Sequence, residues 1–362
     1  MKVLYFKEPK KDLYAGVPKY GGVSNVAYNL SRALAKNVKI SCYPSFVTEK
    51  SYLSKLLNIY GRLAIRDFDI VHFNIKPNLN QGGSGLFKLA KISHTPTILN
   101  IHGIIQLEYE LYGRRKNRWP WFASDTDLLS TLRFCKMANK IVTYSKFMRD
   151  RIVKWYGVNQ KKIEVIPNGV DINKFSKCKS DLLLEGDPAI LYLGHLSKGV
   201  DFLITAISRI ISELPELKLN IVGSGDITSL KMLAKKKGIE KHVVFYGSVA
   251  SEKTPNYYKA ADVFVFPALR TPAGITILEA MASGVPVIAS NKGGTTEILC
   301  SGENGLLFDP TNADELPKAI LTLQKNPGLR NAISYNALKT VTKFSWENIA
   351  KRYVSLYKRL CE

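Results

Sequence analysis

The chain has 362 residues, 46% of them hydrophobic and 23% charged, and it carries a net charge of +22. This length exceeds what one ordinary core holds and fits two domains, and the composition excludes a disordered or fibrous chain. No run approaches the roughly 18 apolar residues that a membrane-spanning helix needs.

Targeting and redox signals favour an intracellular protein. In the amino terminus, MKVLYFKEPK, only a short apolar run precedes further charged residues, which favours a buried strand over a signal peptide. The five cysteines are odd in number, widely spaced and without a C-x-x-C pair. We therefore expect a reduced, cytoplasmic chain without a cysteine metal site.

Basic residues are concentrated in the first half. Residues 1–175 hold 29 basic and 12 acidic residues, a net of +17, whereas the rest holds 23 and 18, a net of +5. A net positive charge concentrated in one half of the chain implies a polyanionic partner: nucleic acid, an anionic membrane surface or an acidic substrate. The alternative is a generally basic proteome, in which the lysines are only solvated.

Short apolar runs alternate with helical periodicity along the whole chain. The runs are rich in Val, Ile, Phe and Tyr and are apolar on both faces, as in buried parallel strands. In chain order they are KVLYF, VKISCY, FDIVHFNI, TPTILNIHG, KIVTYS, KIEVIP, AILYLG, LKLNIVG, HVVFYG, DVFVFPA, VPVIAS and GLLFDP. Helical segments separate most of them, so we predict two α/β units of about six strands each.

The turn VIPNGVDINKF, residues 165–175, separates the two repeated patterns. We predict domains at 1–170 and 171–342, followed by a helical segment at 343–362. Two similar α/β domains imply a deep cleft between them, and open α/β sheets bind ligands at the carboxyl ends of their strands.

The first half offers three site candidates. Gly21 and Gly22 precede the first helix, where a glycine pair permits close approach of an anion or sugar, although an ordinary turn would look the same. His102 ends a strand, where either a cleft residue or a structural histidine fits. Asp125 and Asp127 form a D-x-D pattern, which we interpret as a helix N-cap in preference to a magnesium site.

The second half places Lys198 and His195 after its first strand, in LYLGHLSKGVDFL. A lysine there can neutralise a phosphate, whereas a histidine does so only when protonated; a surface lysine is the alternative. The nearby IVGSGDIT resembles a dinucleotide fingerprint, but Thr228 occupies the third glycine position. A nicotinamide or flavin enzyme is therefore poorly supported.

Glu279 stands in the otherwise small and apolar stretch TPAGITILEAMASG, residues 271–284. A short helix is expected after Gly274, with Glu279 lying off its apolar face. The amides of Gly274, Ile275 and Thr276 would then suit a diphosphate. A carboxylate one turn later can accept hydrogen bonds from a vicinal diol such as ribose. A solvated helix glutamate is the alternative.

Together these stretches resemble the family-4 glycosyltransferases of the GT-B fold, in order and over nearly the whole chain. The resemblance rests on YGGVSNVAYNLSRAL, DIVHFN, ILNIHG, IVTYSKFMRDRIV, VIPNGVDINKF, YLGHLSKGVDFLITAI, LNIVGSGD, VVFYGSV, AADVFVFPAL, PAGITILEAMASGVPVIASNKGGTTEIL, NGLLFDP and FSWENIAKRYVSLYKRL. It implies an α/β protein of two Rossmann-like α/β/α domains that face a deep cleft. It also implies that the last helix crosses back onto the N-terminal domain.

The resemblance further implies a retaining hexosyltransferase that needs no metal or other cofactor. Its donor, a UDP- or GDP-sugar, would bind the C-terminal domain and its acceptor the N-terminal domain. Glu279 matches the second glutamate of the family's E-x7-E motif, Lys198 the diphosphate lysine and His102 a histidine near the transferred sugar. The remaining expected donor contacts are Gly21, Gly22, His195, Gly223, Val249, Thr271, Gly274, Ile275 and Thr276.

Two positions depart from the family pattern. Thr271 stands where the first glutamate of E-x7-E belongs, and His195 stands where the family has an arginine. A neutral threonine supplies no charge to the donor sugar, and histidine gives the diphosphate a weaker, pH-dependent charge than arginine. The implied mechanism is front-face displacement, with the leaving diphosphate stabilised by Lys198 and helix amides.

The basic half also contains two candidate membrane-binding segments. YLSKLLNIYGRLAIRD is amphipathic, and YGRRKNRWPWF joins basic and aromatic residues, as the lipid headgroup region favours. Packing on the protein's own sheet is the alternative for the first. Aromatic and basic residues also suit single-stranded nucleic acid, but no RNA-binding motif accompanies them. We expect a peripheral enzyme at the cytoplasmic face of a membrane, glycosylating a lipid, a lipid-linked carrier or a cell-envelope glycan.

Two other interpretations remain open. The same fold serves sugar-nucleotide epimerases and phosphorylases, although no pyridoxal-type lysine site accompanies the motifs. A catalytically degenerate partner subunit would explain Thr271 and His195, whereas Glu279 and Lys198 argue against it.

Overall fold

A computed structural model describes residues 1–7, 22–44, 65, 67–75, 83–102, 125–268 and 274–362. Gly21 and Thr271 lie outside these ranges, as do most of the two basic segments at residues 52–67 and 112–122. The described chain divides into two compact units, Met1–Gly169 with Trp346–Glu362, and Val170–Ser345.

The first unit contains a parallel six-stranded sheet of order β2-β1-β3-β4-β5-β6. Its strands are β1 Lys2–Lys7, β2 Lys39–Pro44, β3 Ile70–Ile75, β4 Thr97–Ile101, β5 Lys140–Thr143 and β6 Ile163–Val165. Its described helices are α1 Gly22–Ala35, α2 Gly83–Ile92, α3 Asp125–Met137 and α4 Lys146–Tyr156. Thus α1 begins at Gly22, and α3 begins at the D-x-D pattern.

The second unit contains a parallel six-stranded sheet of order β12-β11-β10-β7-β8-β9. Its strands are β7 Ala189–Leu193, β8 Lys218–Val222, β9 Val243–Gly247, β10 Val263–Phe266, β11 Val287–Ser290 and β12 Leu306–Phe308. Its described helices are α5 Ile172–Ser176, α6 Val200–Ile207, α7 Ile227–Lys236, α8 Thr254–Lys259, α9 Ile275–Ser283, α10 Glu315–Lys325 and α11 Pro327–Val341. The expected α/β fold with two six-stranded units is confirmed.

Burial on both faces explains why the strands read as continuous apolar runs. In β7, Ile190 and Tyr192 pack into one core cluster with residues of α6, α7 and α10. Leu191 points the other way, into a cluster with residues of α8, α9 and α11. Successive strand residues thus fill opposite layers, which requires apolar side chains at every position.

The last helix, α12 Trp346–Cys361, belongs to the first unit although it follows the second in sequence. Its apolar face buries Ile349, Tyr353, Leu356 and Tyr357. At its start, the ring of Trp346 lies against Gly169, where an added Cβ would come within 2.5 Å of the indole. None of the helices in the described ranges is long and apolar enough to cross a bilayer.

Candidate functional site

The centre of the second sheet is a topological switch point. β8 and β9 extend to one side of β7, whereas β10, β11 and β12 extend to the other. The connections after β7 and β10 therefore diverge at the carboxyl edge, where α/β sheets bind ligands. At their starts the two connections are still in contact. Gly199 has a φ of +83°, and an added Cβ there would lie 2.6 Å from the carbonyl oxygen of Pro267.

The connection after β7 brings His195 and Lys198 into one turn. The Lys198 amide donates to the carbonyl of His195 at 3.0 Å, and the hydroxyl of Tyr192 donates to the same carbonyl at 2.6 Å. Nδ1 of His195 lies 2.7 Å from Oγ of Ser197. Burial, and secondarily the charge of Lys198, lower the pKa of His195 below its usual 6.5. At neutral pH, Lys198 therefore supplies the positive charge of this turn.

At the same edge, backbone hydrogen bonds join the connections after β7 and β8 to the ends of the neighbouring strands. Gly194 donates its amide to Val222 at 3.0 Å, and Gly223 donates to Gly247 at 2.8 Å. At Gly223, with a φ of +153°, an added Cβ would fall 1.7 Å from the carbonyl oxygen of Gly194. This packing fixes a glycine there independently of any ligand. Val249 follows β9 on a partly exposed loop.

Asp226, in the stretch that resembles a dinucleotide fingerprint, caps α7. Its carboxylate accepts from the Ser229 amide at 3.1 Å and from the Ser229 hydroxyl at 2.7 Å. The acidic residue of IVGSGDIT thus has a structural role at a helix start.

Helix α9 begins directly after Gly274 as expected, and no side chain caps its amino end. Gly274 is required by space, because a Cβ there would lie 2.8 Å from Cζ of Phe266 on β10. Oγ1 of Thr276 is shielded from solvent and has no hydrogen-bond partner in the described structure. An uncapped helix start beside this hydroxyl has donors available for an anion.

Glu279 lies one turn into α9, off the fully buried face of the helix. Ile277, Ala280 and Met281 are fully buried, whereas Glu279 is partly exposed. Its Oε2 accepts a hydrogen bond of 3.0 Å from the hydroxyl of Tyr258 on α8. Burial raises the pKa of Glu279 to about 7, against the opposing effects of Tyr258 and of the positive charge of Lys174. The carboxyl group therefore changes its charge near neutral pH.

Tyr258 and Lys174 were not among the residues predicted from the sequence. Tyr258 precedes a buried strand, where an aromatic ring is expected in the core, and only its hydroxyl could have indicated a polar partner nearby. Lys174 is one of many lysines and lies on another helix, α5. No local sequence pattern links either residue to Glu279.

His102 follows β4 in the first unit and is embedded in a polar network. Its Nε2 contacts Oδ1 of Asn74, which also accepts from Nδ2 of Asn100 at 3.2 Å. Asn100 in turn donates to the hydroxyl of Tyr353 on α12 at 3.0 Å. Burial lowers the pKa of His102 to about 4, so its imidazole is neutral at physiological pH.

A second histidine, His72 on β3, lies fully buried in the same network. Its Nδ1 is 2.6 Å from the hydroxyl of Tyr357, and its ring stacks on Tyr353 at 5.4 Å. Burial lowers the pKa of His72 to about 3. Sequence reasoning singled out His102 at a strand end but missed Asn74, Asn100 and Tyr353, whose interior positions on β3, β4 and α12 gave no signal.

Two parallel α/β units of this kind in one chain are the arrangement found in the GT-B class of fold. The crystal structure of HepE from Anabaena, in complex with UDP and glucose, superposes with a TM-score of 0.74 at 20% identity, covering 99% of each chain. The family model "Glycosyl transferases group 1" matches residues 175–340, and "Glycosyltransferase Family 4" matches residues 37–174.

Curated relatives agree with these matches. A protein of Methanocaldococcus jannaschii, named as an uncharacterized glycosyltransferase, is 30% identical over 357 residues, covering 94% of this chain and 87% of its own. A GDP-mannose-dependent alpha-(1-6)-phosphatidylinositol monomannoside mannosyltransferase of Mycolicibacterium smegmatis is 31% identical over 205 residues, covering 52% of this chain and 53% of its own. The chain belongs to the family-4 glycosyltransferases.

Proposed function

We propose that this glycosyltransferase is a retaining hexosyltransferase that uses a UDP- or GDP-sugar and acts on a lipid, lipid-linked or cell-envelope acceptor. The observation that carries the proposal is the position of Glu279, one turn beyond the uncapped start of α9 at the switch point of the second sheet. An anion-binding helix end followed by a partly exposed carboxylate matches the two chemical features of a nucleoside diphosphate.

Each part of the donor would have a binding group in this arrangement. Glu279 would accept hydrogen bonds from the two ribose hydroxyls. The amides of Gly274, Ile275 and Thr276, together with the ammonium of Lys198, would bind the diphosphate. Val249 would lie near the base. The UDP in the Anabaena complex and the GDP-mannose in the name of the mycobacterial relative support this donor class.

In the proposed reaction the bond between the anomeric carbon and the diphosphate oxygen breaks while the acceptor oxygen bonds to the same face of that carbon. The electron pair of the broken bond passes to the diphosphate, which also takes the acceptor's proton. Lys198 and the helix amides stabilise the developing negative charge. His102 would contact the transferred sugar as a neutral hydrogen-bonding group. We propose no metal and no enzyme nucleophile, and undiminished transfer in EDTA is the expected result.

The acceptor side of the proposal rests on charge. Residues 1–175 carry a net +17, and the mycobacterial relative's name describes a phosphatidylinositol-based acceptor. We therefore propose peripheral binding at the cytoplasmic face of an anionic membrane. In liposome sedimentation, the protein is expected to pellet with anionic vesicles and to be released by salt. Equal recovery in the supernatant with neutral and anionic vesicles would contradict the proposal.

The donor site is tested by the variant Glu279→Gln. It removes the negative charge of the carboxylate that would accept hydrogen bonds from the ribose hydroxyls. Binding of the preferred nucleotide sugar should therefore weaken by about tenfold or more. A thermal-shift screen with UDP-, GDP- and ADP-sugars identifies that donor, since a ligand bound only by the folded state raises apparent stability. Glu303→Gln, which changes an exposed carboxylate of the same unit, is the matched control. Unchanged donor affinity in Glu279→Gln would refute the assignment.

One observation favours a second candidate, a nucleotide-binding partner subunit without catalytic activity. His195, at the position of the family arginine, is held neutral at physiological pH, so the diphosphate would receive one fixed positive charge from this turn. Transfer assays with the donors that bind distinguish the two. Firm nucleotide binding without turnover of any sugar would favour the subunit.

A further inference from the structure

The phenol of Tyr258 is held rigidly beside the Glu279 carboxylate. Its side chain is 0% exposed. Phe175 meets the ring edge-on at 5.8 Å between centroids, and Phe264 does so at 5.4 Å. Two aromatic contacts thus fix the ring plane, and the hydroxyl donates its hydrogen bond to Oε2 of Glu279. A buried phenol with this single described acceptor directs one oriented donor at one carboxylate oxygen.

The charged group that acts on Glu279 is Lys174. Its ammonium donates to the carbonyl of Ser251 at 2.8 Å and lies 5.3 Å from the ring centroid of Phe175. These contacts hold the positive charge in place, so that it acts on Glu279 through space. No described residue donates to the other carboxylate oxygen, Oε1. Glu279 therefore keeps acceptor capacity while one of its oxygens is fixed.

We propose that Tyr258 is a positioning residue, whose hydroxyl orients the Glu279 carboxylate and favours its ionised form for binding the donor ribose. Oε1 and the remaining lone pair of Oε2 would then accept the two ribose hydroxyls. This inference rests on the proposed function, because it assumes that Glu279 binds the ribose. It extends that function to a residue on a different helix and makes donor affinity depend on pH.

The pH dependence follows from the opposing influences on the carboxyl group. Burial raises the pKa of Glu279 to about 7, and the Tyr258 hydrogen bond opposes that rise. Removing the hydroxyl should therefore raise the pKa further, by about one unit for a hydrogen bond to a charged group. Burial raises the pKa of Tyr258 well above 10, so its phenol stays neutral throughout. Burial lowers the pKa of His195, which moves its titration away from the upper part of the pH range used below.

The experiment compares Tyr258→Phe with Tyr257→Phe, the adjacent position on the same helix. Tyr257 packs edge-on against Tyr246 at 5.4 Å between centroids and does not bond Glu279, so it controls for general loss of a tyrosine hydroxyl. The Glu279 carboxyl is titrated in the free protein by NMR of ¹³C-labelled glutamate and assigned with Glu279→Gln. Calorimetry then measures binding of UDP-glucose and of GDP-mannose between pH 6.5 and 8.5.

In Tyr258→Phe the carboxyl titration should move up by about one pH unit. Donor binding should weaken about fivefold at pH 7 but less than twofold at pH 8.5, since the ionised form recovers. Tyr257→Phe should leave both unchanged. An unshifted carboxyl titration, or a loss of affinity equal at all pH values, would overturn the inference. Failure of the wild-type protein to bind any nucleotide sugar would instead refute the proposed function, while the carboxyl titration would still decide whether Tyr258 controls Glu279.

Discussion

Individual glycines at the carboxyl edge of the second sheet are fixed by contact distances. Gly223, with a φ of +153°, leaves no room for a side chain, whereas Gly238, just after α7, has a φ of +69° and nothing within 4 Å of an added Cβ. The two positions therefore separate steric exclusion from backbone preference. The distinction matters because a loop glycine at a candidate ligand site is easily assigned to ligand approach alone.

Gly223→Ala is expected to destabilise the second unit strongly. Its Cβ would overlap the carbonyl oxygen of Gly194, which must move with its strand end, at a cost of about 3 kcal/mol or more. Gly238→Ala should cost only about 1 kcal/mol, the penalty of a left-handed backbone. Urea denaturation followed by far-UV circular dichroism measures the difference. Equal losses in the two variants would show that the crowding at Gly223 is relieved without cost.

Elements were easier to predict from the sequence than the contacts between them. All twelve apolar runs form strands, because burial on both faces leaves a local signature at every position. The start of α9 after Gly274 and the position of Glu279 off its apolar face also followed from the local sequence. The Tyr258 bond to Glu279 did not, because it joins α8 to α9 across 21 residues of sequence.

The polar network of the first unit illustrates the same limit. Asn74 and Asn100 occupy buried positions in strands whose pattern predicts apolar side chains, and their hydrogen bonds join β3, β4 and α12, since Asn100 donates to Asn74 and to Tyr353. Tyr353 places its ring on the buried face of the last helix. Its hydroxyl acquires a partner only because α12 packs in the first unit, 253 residues from Asn100.

The two units of the molecule are expected to respond differently to acid. His72 and His102, both in the first unit, have pKa values lowered to about 3 and about 4. Their unfolded forms bind protons near pH 6.5, so the stability they contribute is complete above that pH and is lost as the pH falls below it. In the second unit, Glu279 with its raised pKa gains stability on acidification while His195 loses it, so these effects oppose.

The first unit should therefore lose about 2–3 kcal/mol between pH 7.5 and 5.5, one proton for each of the two histidines. Trp155 and Trp346 lie in the described part of this unit, and the sequence has no tryptophan between positions 170 and 345, so tryptophan fluorescence in urea does not probe the second unit. Far-UV circular dichroism reports on both units, and its transition should separate from the fluorescence transition as the pH falls. Glu279→Gln should leave the fluorescence midpoint unchanged at both pH values, since Glu279 lies in the other unit. A fluorescence midpoint that is the same at pH 7.5 and 5.5 would show that the buried histidines do not resist protonation.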